Sequence, residues 1–333
     1  MLNKRHWPRV LLLAMLILLV SACGNAANAS SASGGSAPAT FTFVYQPGLG
    51  AVTFITLKIQ NTLHKQFPNT NFQWKSVNSG AAVRNAVIAH QGDLGSLGIP
   101  PFLVGWDKGV NWKVLLATSR SDAWLVAMNP KFKSLRDFGP NDKIGVVAPD
   151  SQQAILLRKA AQEQLGNAHA LDANLVTIAS ATGEQALLTG HLAAQLSGAP
   201  YQNQEVAAGG HIVLHTTDVF GPVGAGVIVL QQSLYSQYPA FSKQIYQDFV
   251  DVTAWVNGHR AQAAQYLASN TASAGGGTAA QFETLLADPT IVYDKTPSGL
   301  LAYATFMQSI GLITKAPKSV NDLELPTVIG TGS

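Results

Sequence analysis

The feature that most constrains the fold of this chain is a regular alternation of short β-rich runs with longer amphipathic runs, which occurs twice in succession. The first series predicts strands at 41–46, 72–77 and 94–98, and helices at about 50–66 and 81–91. The second predicts strands at 143–147, 175–178, 192–197 and 211–215, and helices at about 151–165 and 182–189. Such alternation is typical of βαβ units that build mostly parallel sheets. We therefore expect two α/β sheets in tandem.

The last third of the chain is helical almost throughout. A strand predicted at 225–230 is followed by helices predicted at about 239–257, 259–269, 278–287 and 298–310. Because a returning strand and terminal helices need a sheet to pack on, we place them on the first one. This predicts a discontinuous first lobe of residues 41–124 and 226–333, and an inserted second lobe of residues 125–225. Two crossing strands near 123–129 and 220–228 are expected to join the lobes.

The N-terminus carries the pattern of a secretory signal. Lys4, Arg5 and Arg9 precede an unbroken apolar run, 10–20, which is too short for the ~20 residues that a bilayer requires. The run ends in Val-Ser-Ala just before Cys23, the only cysteine, and this stretch resembles a bacterial lipobox, in which the cysteine is acylated. We predict a lipoprotein signal peptide at 1–22 and lipidation of Cys23. An ordinary cleaved signal with a chance cysteine is the alternative.

The segment that follows Cys23 is rich in Gly, Ala, Ser and Asn, a composition that cannot bury enough apolar surface to fold. Residues 23–40 are therefore predicted to be a flexible tether, whose 17 residues after the cysteine span roughly 20–25 Å. The folded body is expected at the cell membrane, anchored by lipid on the extracytoplasmic face. This face is periplasmic or outer, according to the cell envelope.

Charge and composition exclude several classes of function. The chain has 21 Lys and Arg against 18 Asp and Glu, and the predicted signal holds three of the basic residues, so the remainder is neutral. It lacks the basic cluster that nucleic-acid binding needs. No second cysteine is available for a disulfide or a zinc cage. His211 and His215 stand four apart in a strand-like context, which does not favour a metal pair. We predict no cofactor, no metal and no catalytic residue.

Residues 72–102 carry a resemblance to a known family. An extended strand ends at Ser79-Gly80, a helix ends at Gly92-Asp93, and a short strand runs into Gly98-Ile99-Pro100-Pro101. These elements resemble the first-lobe core of substrate-binding proteins for alkanesulfonate, taurine and nitrate ABC importers. Further similarity covers nearly all of 41–325, including the segments 135–137, 143–146, 190–194, 197–201, 306–307 and 311–313. The chain departs from the family at His191 and at Ala193 to Gln195, where an acidic residue is usual.

This resemblance implies the two-lobed, type II periplasmic-binding-protein fold, with a ligand cleft between two mixed, mostly parallel sheets flanked by helices. It also implies a monomeric binding protein that serves an ABC permease and its ATPase subunit. Thiamine-pyrimidine synthases resemble the same family, but they carry a cysteine-rich iron motif that this chain lacks. An enzymatic function is therefore disfavoured.

The candidate ligand contacts lie in turns that follow predicted strands. In open α/β sheets ligands bind beyond the carboxyl ends of the strands, where the N–H groups of helix N-termini converge. Ser79 and Ser151 are predicted N-caps that could also serve an anionic headgroup. The predicted ligand contacts of the first lobe are Gln46, Ser79, Gly80 and Pro100, and those of the second lobe are Ser151, Gln152, Ser197 and Tyr201.

Arg120 and Trp124 complete the predicted site. The planar guanidinium of Arg120 suits a sulfonate or a carboxylate, although a solvated loop charge is an equal alternative. Trp124 and Tyr201 are expected to supply the apolar wall. The hypothesis is a receptor that captures a small organic anion by lobe closure. Two alternatives stay open: a binder of a thiamine-pyrimidine precursor or another aromatic heterocycle, and a ligand-sensing subunit of a membrane signalling partner.

Overall fold

The computed structural model describes residues 37–221 and 224–326. The predicted signal peptide, Cys23 and all but the last four residues of the predicted tether lie outside these ranges. Within them, no helix combines the length and the apolar character that crossing a membrane would require.

The described residues form ten strands and fourteen α-helices. The strands are β1 (Thr40–Tyr45), β2 (Asn71–Ser76), β3 (Leu94–Leu97), β4 (Trp112–Ala117), β5 (Trp124–Ala127), β6 (Ile144–Val146), β7 (Leu175–Thr177), β8 (Ala194–Ser197), β9 (His211–His215) and β10 (Val227–Gln231). The helices are α1 (Val52–Gln60), α2 (Thr62–Gln66), α3 (Gly80–Ile88), α4 (Ile99–Asp107), α5 (Gln152–Leu165), α6 (Ser180–Leu188), α7 (Tyr201–Ala207), α8 (Thr217–Phe220), α9 (Gln232–Gln237), α10 (Pro239–Gly258), α11 (Arg260–Ala268), α12 (Thr271–Ala274), α13 (Ala279–Ala287) and α14 (Leu300–Ser309).

The two sheets have the same spatial arrangement of strand directions. The first has the strand order β2-β1-β3-β10-β4, and the second has the order β7-β6-β8-β5-β9. In each, three strands are parallel and a fourth runs antiparallel between the third strand and an edge strand. The antiparallel strand of the first sheet, β10, comes after all strands of the second sheet in the chain, whereas the strands of the second sheet, β5 to β9, are consecutive. The predicted fold class, two mixed sheets with flanking helices, is confirmed.

Helices cover both faces of the first sheet. On one face Phe41, Phe43 and other strand residues form a single buried cluster with residues of α1, α10, α11 and α13. On the other face Val44 and Val229 join a cluster that includes residues of α3, α4 and α14. We call the first sheet with these helices the first lobe, and the second sheet with α5, α6 and α7 the second lobe. The lobe boundaries predicted at 124/125 and 225/226 stay predictions.

The helix ends follow local capping chemistry. Ser151 accepts a hydrogen bond from the Ala154 amide at the start of α5, and Gly166, with φ 75°, ends this helix in the left-handed region that glycine adopts without strain. A capping box of Thr278 and Gln281 begins α13. These signals explain why the observed bounds of α5 and α13 lie within a residue of the predicted ones.

The connections between the lobes differ from the predicted crossing strands. The first crossing is the non-strand stretch 118–123, because β5 at 124–127 already belongs to the second sheet. The second ends at 226, because β10 begins the return to the first sheet at Val227. The Thr118 amide donates to the Gly226 carbonyl (3.1 Å), and the Ala225 amide donates to the Ser119 carbonyl (2.9 Å). The crossings are thus hydrogen-bonded to each other between the two sheets.

Candidate ligand-binding site

Helix N-termini from both lobes point towards the junction between them. In the first lobe α3 begins after β2 and α4 begins after β3, while in the second lobe α5 begins after β6. The Ser79 hydroxyl accepts a hydrogen bond from the Ala82 amide (3.1 Å), and the Ser151 hydroxyl accepts one from the Ala154 amide (3.2 Å). Both hydroxyls therefore act as caps. Each still has its O–H available as a donor, because capping uses only an oxygen lone pair.

A cavity of about 180 Å³ lies at this junction. Its polar side chains are mainly hydroxyls and amides from both lobes and from the first crossing, and they include Gln46, Ser96, Ser119, Ser121, Ser151 and Gln152. None of the described residues that line it carries a charged side chain. Recognition here depends on neutral donors and on the dipoles of the helix N-termini, which favour negative charge.

The lobes touch around the cavity. The Leu49 amide of the first lobe donates to the Ala199 carbonyl of the second (3.2 Å), and the Gln152 side-chain amide donates to the Gly224 carbonyl beside the crossings (3.4 Å). Within the first lobe, a Cβ on Gly80 would lie only 2.5 Å from Pro101 Cγ, so α3 and α4 pack closely there. Between the lobes, a Cβ on Gly98 would lie 3.4 Å from Gln152 Cβ, which is an ordinary contact distance. Close backbone approach therefore shapes the floor of the cavity.

Four of the predicted contact residues meet at this cavity: Gln46 and Gly80 from the first lobe, and Ser151 and Gln152 from the second. Ser79 caps α3 beside it without being one of its lining residues. Pro100 lies buried in the first turn of α4, and its neighbour Pro101 lines the cavity instead. Contact between these residues and a ligand stays a prediction.

Ser197 and Tyr201 lie deeper in the second lobe. Ser197 is fully buried, and its hydroxyl donates to both carboxyl oxygens of Glu205 (3.2 and 3.3 Å). Burial raises the pKa of Glu205 to about 8, against the lowering effect of this hydrogen bond. Tyr201 lines an adjoining cavity of about 210 Å³ that it shares with Gln46. Burial and then the charge of Glu184 raise the pKa of Tyr201.

The structure does not bring Arg120 and Trp124 to the cavity between the helix N-termini. Both line a separate cavity of about 390 Å³. Arg120 is held by backbone pairing with Val292, and its guanidinium lies 3.5 Å from the Asp294 carboxylate. The Trp124 indole N–H donates to Asp122 (2.8 Å). These contacts place Arg120 and Trp124 in the separate cavity.

Several lining residues were missed. Ser119 and Ser121 flank Arg120, and Gln153 follows Gln152, so their only indication in the sequence was a neighbouring predicted contact residue. Nothing in the sequence indicated that Ser96 or Tyr293 would line the cavity. The Tyr293 hydroxyl donates to the Leu49 carbonyl across 244 positions of sequence (3.2 Å), a contact that local patterns do not report.

Metal ligation finds no support in the described ranges, where no group of three or more His, Cys, Asp or Glu residues is placed to hold an ion. His211 and His215 have separate partners. The Nε2 atom of His211 lies 2.7 Å from the Phe132 carbonyl, and the Nδ1 atom of His215 lies 2.6 Å from an Asp122 carboxylate oxygen.

Two sheets with facing helix N-termini, an uncharged cavity at their junction and paired crossings are the features of the two-lobed periplasmic-binding-protein fold. The sequence model of the NMT1-like family matches residues 70–272, which is more than half of the chain, and the protein belongs to this family. The family resemblance predicted from the sequence is confirmed. A search of curated proteins finds no match.

Solved structures share this fold at low sequence identity. The ligand-binding component of an ABC-type import system from Staphylococcus aureus, with zinc bound, is 18% identical, with a TM-score of 0.71 over 87% of this chain and 97% of that one. The alkanesulfonate-binding protein SsuA from Xanthomonas axonopodis, bound to MOPS, is 18% identical, with a TM-score of 0.70 over 90% and 100%. The nitrate-binding protein NrtA from Synechocystis is 15% identical, with a TM-score of 0.59 over 69% and 66%. These neighbours are described as binding proteins, not as enzymes.

Proposed function

We propose that the protein is the lipid-anchored receptor of an ABC importer and that it captures a small organic anion of the sulfonate, taurine or nitrate type. The observation that carries this proposal is the cavity itself. Helix N-termini from both lobes surround it, and the described lining offers hydroxyl and amide donors without a carboxylate. Such a lining favours an anion, because the N-terminus of a helix acts as a partial positive charge of roughly one half.

Closure follows from the same geometry. A ligand that contacts Gln46 and the start of α3 on one side, and Ser151 and Gln152 on the other, gains its full set of contacts only when the lobes meet. A ligand shifts such an equilibrium only by its difference in affinity for the open and closed states. Ligand binding is therefore expected to stabilise the closed form that a permease and its ATPase subunit would receive.

The lining and the volume of the cavity favour an anion over an aromatic heterocycle as the ligand. Stacking of an aromatic ligand was expected from Trp124 and Tyr201, but neither is a lining residue of this cavity. Tyr293 is the one aromatic residue in the described lining, and its hydroxyl is bonded to the Leu49 carbonyl. A volume of about 180 Å³ also suits a small solute better than a substituted ring system.

A thermal-shift screen of the full chain in detergent tests the proposal. The sharpest pair of probes is methanesulfonate and dimethyl sulfone, which have nearly the same shape and differ in charge. Taurine, longer alkanesulfonates, nitrate, bicarbonate, aromatic carboxylates and thiamine-pyrimidine compounds complete the panel. A ligand at 100 times its dissociation constant adds about 2.7 kcal/mol to the stability. Stabilisation by the sulfonate alone supports the proposal, whereas a response confined to heterocycles contradicts it.

The membrane attachment is tested separately. Metabolic labelling with a fatty-acid analogue should label the wild-type chain and leave the Cys23→Ala variant unlabelled. An unlabelled wild-type chain would refute the lipid anchor without touching the proposed ligand.

A further inference from the structure

An ion pair joins the two lobes beside the cavity. Arg84 lies in the second turn of α3 in the first lobe, and its guanidinium binds the carboxylate of Asp150, the residue just before the N-cap of α5 in the second lobe. The two side chains are only 12% and 21% exposed. Of the ion pairs among residues 37–221 and 224–326, this is the one that connects a helix on the first sheet to an element of the second.

The first lobe holds Arg84 in position for this contact. Gly105 of α4 has no side chain, and a Cβ built there would lie 3.2 Å from the Arg84 Cδ atom. The aliphatic part of Arg84 therefore packs against the backbone of α4. Because α3 and α4 both belong to the first lobe, this packing does not depend on closure. The guanidinium is thus presented to the second lobe before the lobes meet.

The positive charge of Arg84 compensates the negative charge of Asp150 beside the cavity. The neighbour of Asp150, Ser151, lines the cavity, and none of the described lining residues is charged. An unpaired carboxylate at this point would repel an anionic ligand, and it would have to lose water when the lobes close. Pairing with Arg84 removes both penalties at once, since the charge is neutralised and the hydrogen bonds lost to water are replaced.

We propose that Arg84 is a positioning residue for closure, which neutralises Asp150 as the lobes meet and so makes the closed cavity suitable for an anion. The part that concerns the anion rests on the proposed function. The part that concerns closure does not need a ligand. Arg84 acts here through Asp150 and not by touching the solute.

Hydrogen exchange of the ligand-free full chain in detergent tests the closure part. The reporter is the peptide that contains the Leu49 amide, which is bonded to Ala199 of the other lobe. Arg84→Met should raise deuterium uptake there by at least threefold in initial rate. Adding Asp150→Asn to the same chain should reverse most of this increase, because the unpaired carboxylate is then gone. Arg84→Lys should stay near the wild type, since it retains the positive charge.

The control is Lys131→Met. It removes an ion pair with Asp142 that lies entirely within the second lobe, and it should leave the Leu49 peptide unchanged. Circular dichroism establishes that each variant is folded. If Arg84→Met exchanges like the wild type, or if the double variant exchanges as fast as the single one, the proposal is overturned.

Titration with methanesulfonate tests the anion part. Arg84→Met should weaken binding at least tenfold, and the added Asp150→Asn should restore at least half of the loss on a logarithmic scale. A purely structural role for Arg84 predicts no such restoration. If the wild type binds no anion, the proposed ligand class fails, and the exchange experiment still decides the closure part on its own.

Discussion

The two lobes share one arrangement of strand directions but differ in the side chains that fill their cores. The first sheet lies between two layers of helices and contains a cluster of phenylalanines, in which Phe43 stacks on Trp74 with ring centroids 4.2 Å apart. The second sheet is packed mainly by leucine and alanine. Both lobes also bury carboxyl groups, Glu205 in the second and Asp248 and Glu324 in the first. The lobes therefore differ in the size of their apolar side chains, and we expect aromatic packing in the first lobe to contribute more stability than aliphatic packing in the second.

The largest expected effect is the loss of an aromatic side chain from the first lobe. Phe43 is fully buried, and Phe43→Ala should lower the free energy of unfolding by about 3–5 kcal/mol, because a large cavity opens among rings that cannot collapse into it. The matched change in the second lobe, Leu196→Ala, should cost about 2–4 kcal/mol. Urea unfolding followed by circular dichroism measures both. An equal or larger loss at Leu196 would contradict the contrast between the two cores.

The second expected effect concerns the pH dependence contributed by Glu205. Its pKa is raised from 4.5 to about 8, so the folded chain retains a proton that the unfolded chain releases between these values. This contribution to stability is fully present below pH 4.5 and is lost as the pH rises to 8. Relative to Glu205→Gln, the wild type should lose on the order of 3 kcal/mol between pH 5 and pH 8. Parallel stability profiles for the two chains would rule this out.

The third expected effect tests the junction where the lobes meet. Ser151→Leu places a larger side chain in the cavity wall and should weaken methanesulfonate binding by at least a hundredfold, measured by calorimetry. Loss of the cap should lower stability by only about 1 kcal/mol. Thr278→Ala removes the cap of α13 and serves as the control, with a similar loss of stability and unchanged binding. Retained affinity in Ser151→Leu would mean that the ligand binds elsewhere.

The smallest expected effect is at the crossing between the lobes. Arg120 lies outside the cavity, and its pair with Asp294 is 38% and 33% exposed. Arg120→Met should therefore change methanesulfonate affinity by less than twofold and stability by about 0–1 kcal/mol. A tenfold loss of affinity in titration would show that the guanidinium reaches the ligand after all and would restore the interpretation made from the sequence.

Features governed by local patterns could be predicted well. The strand β9 was predicted at its observed bounds, and α5 was predicted one residue too long. Both predictions rest on signals between residues adjacent in the sequence, namely hydrophobic alternation, N-caps and a C-terminal glycine. The helix α4 was missed because Pro100 and Pro101 suggested a turn, although proline is tolerated in the first turn of a helix.

The site could be predicted only in part, for a different reason. Ser151, Gln152 and Gly80 lie in the turns that connect a strand to the next helix, or at the start of that helix, so the rule for open sheets located them. The directions of Arg120 and Trp124 depend on Val292 and Asp122, and the sequence does not show these pairings. The arrival of Tyr293 at the cavity depends on a contact far along the chain.

The return of the chain to the first sheet at β10 has a consequence for the order in which the two sheets can form. In the first sheet β10 lies between β3 and β4, so until residue 231 is available these two strands lack their shared neighbour and keep unpaired edges. The residues before β10 therefore cannot complete the first sheet by themselves. Completion of the first sheet is thereby delayed until the second lobe has been synthesised, whereas the strands of the second sheet all lie within residues 124–215 and are available before β10.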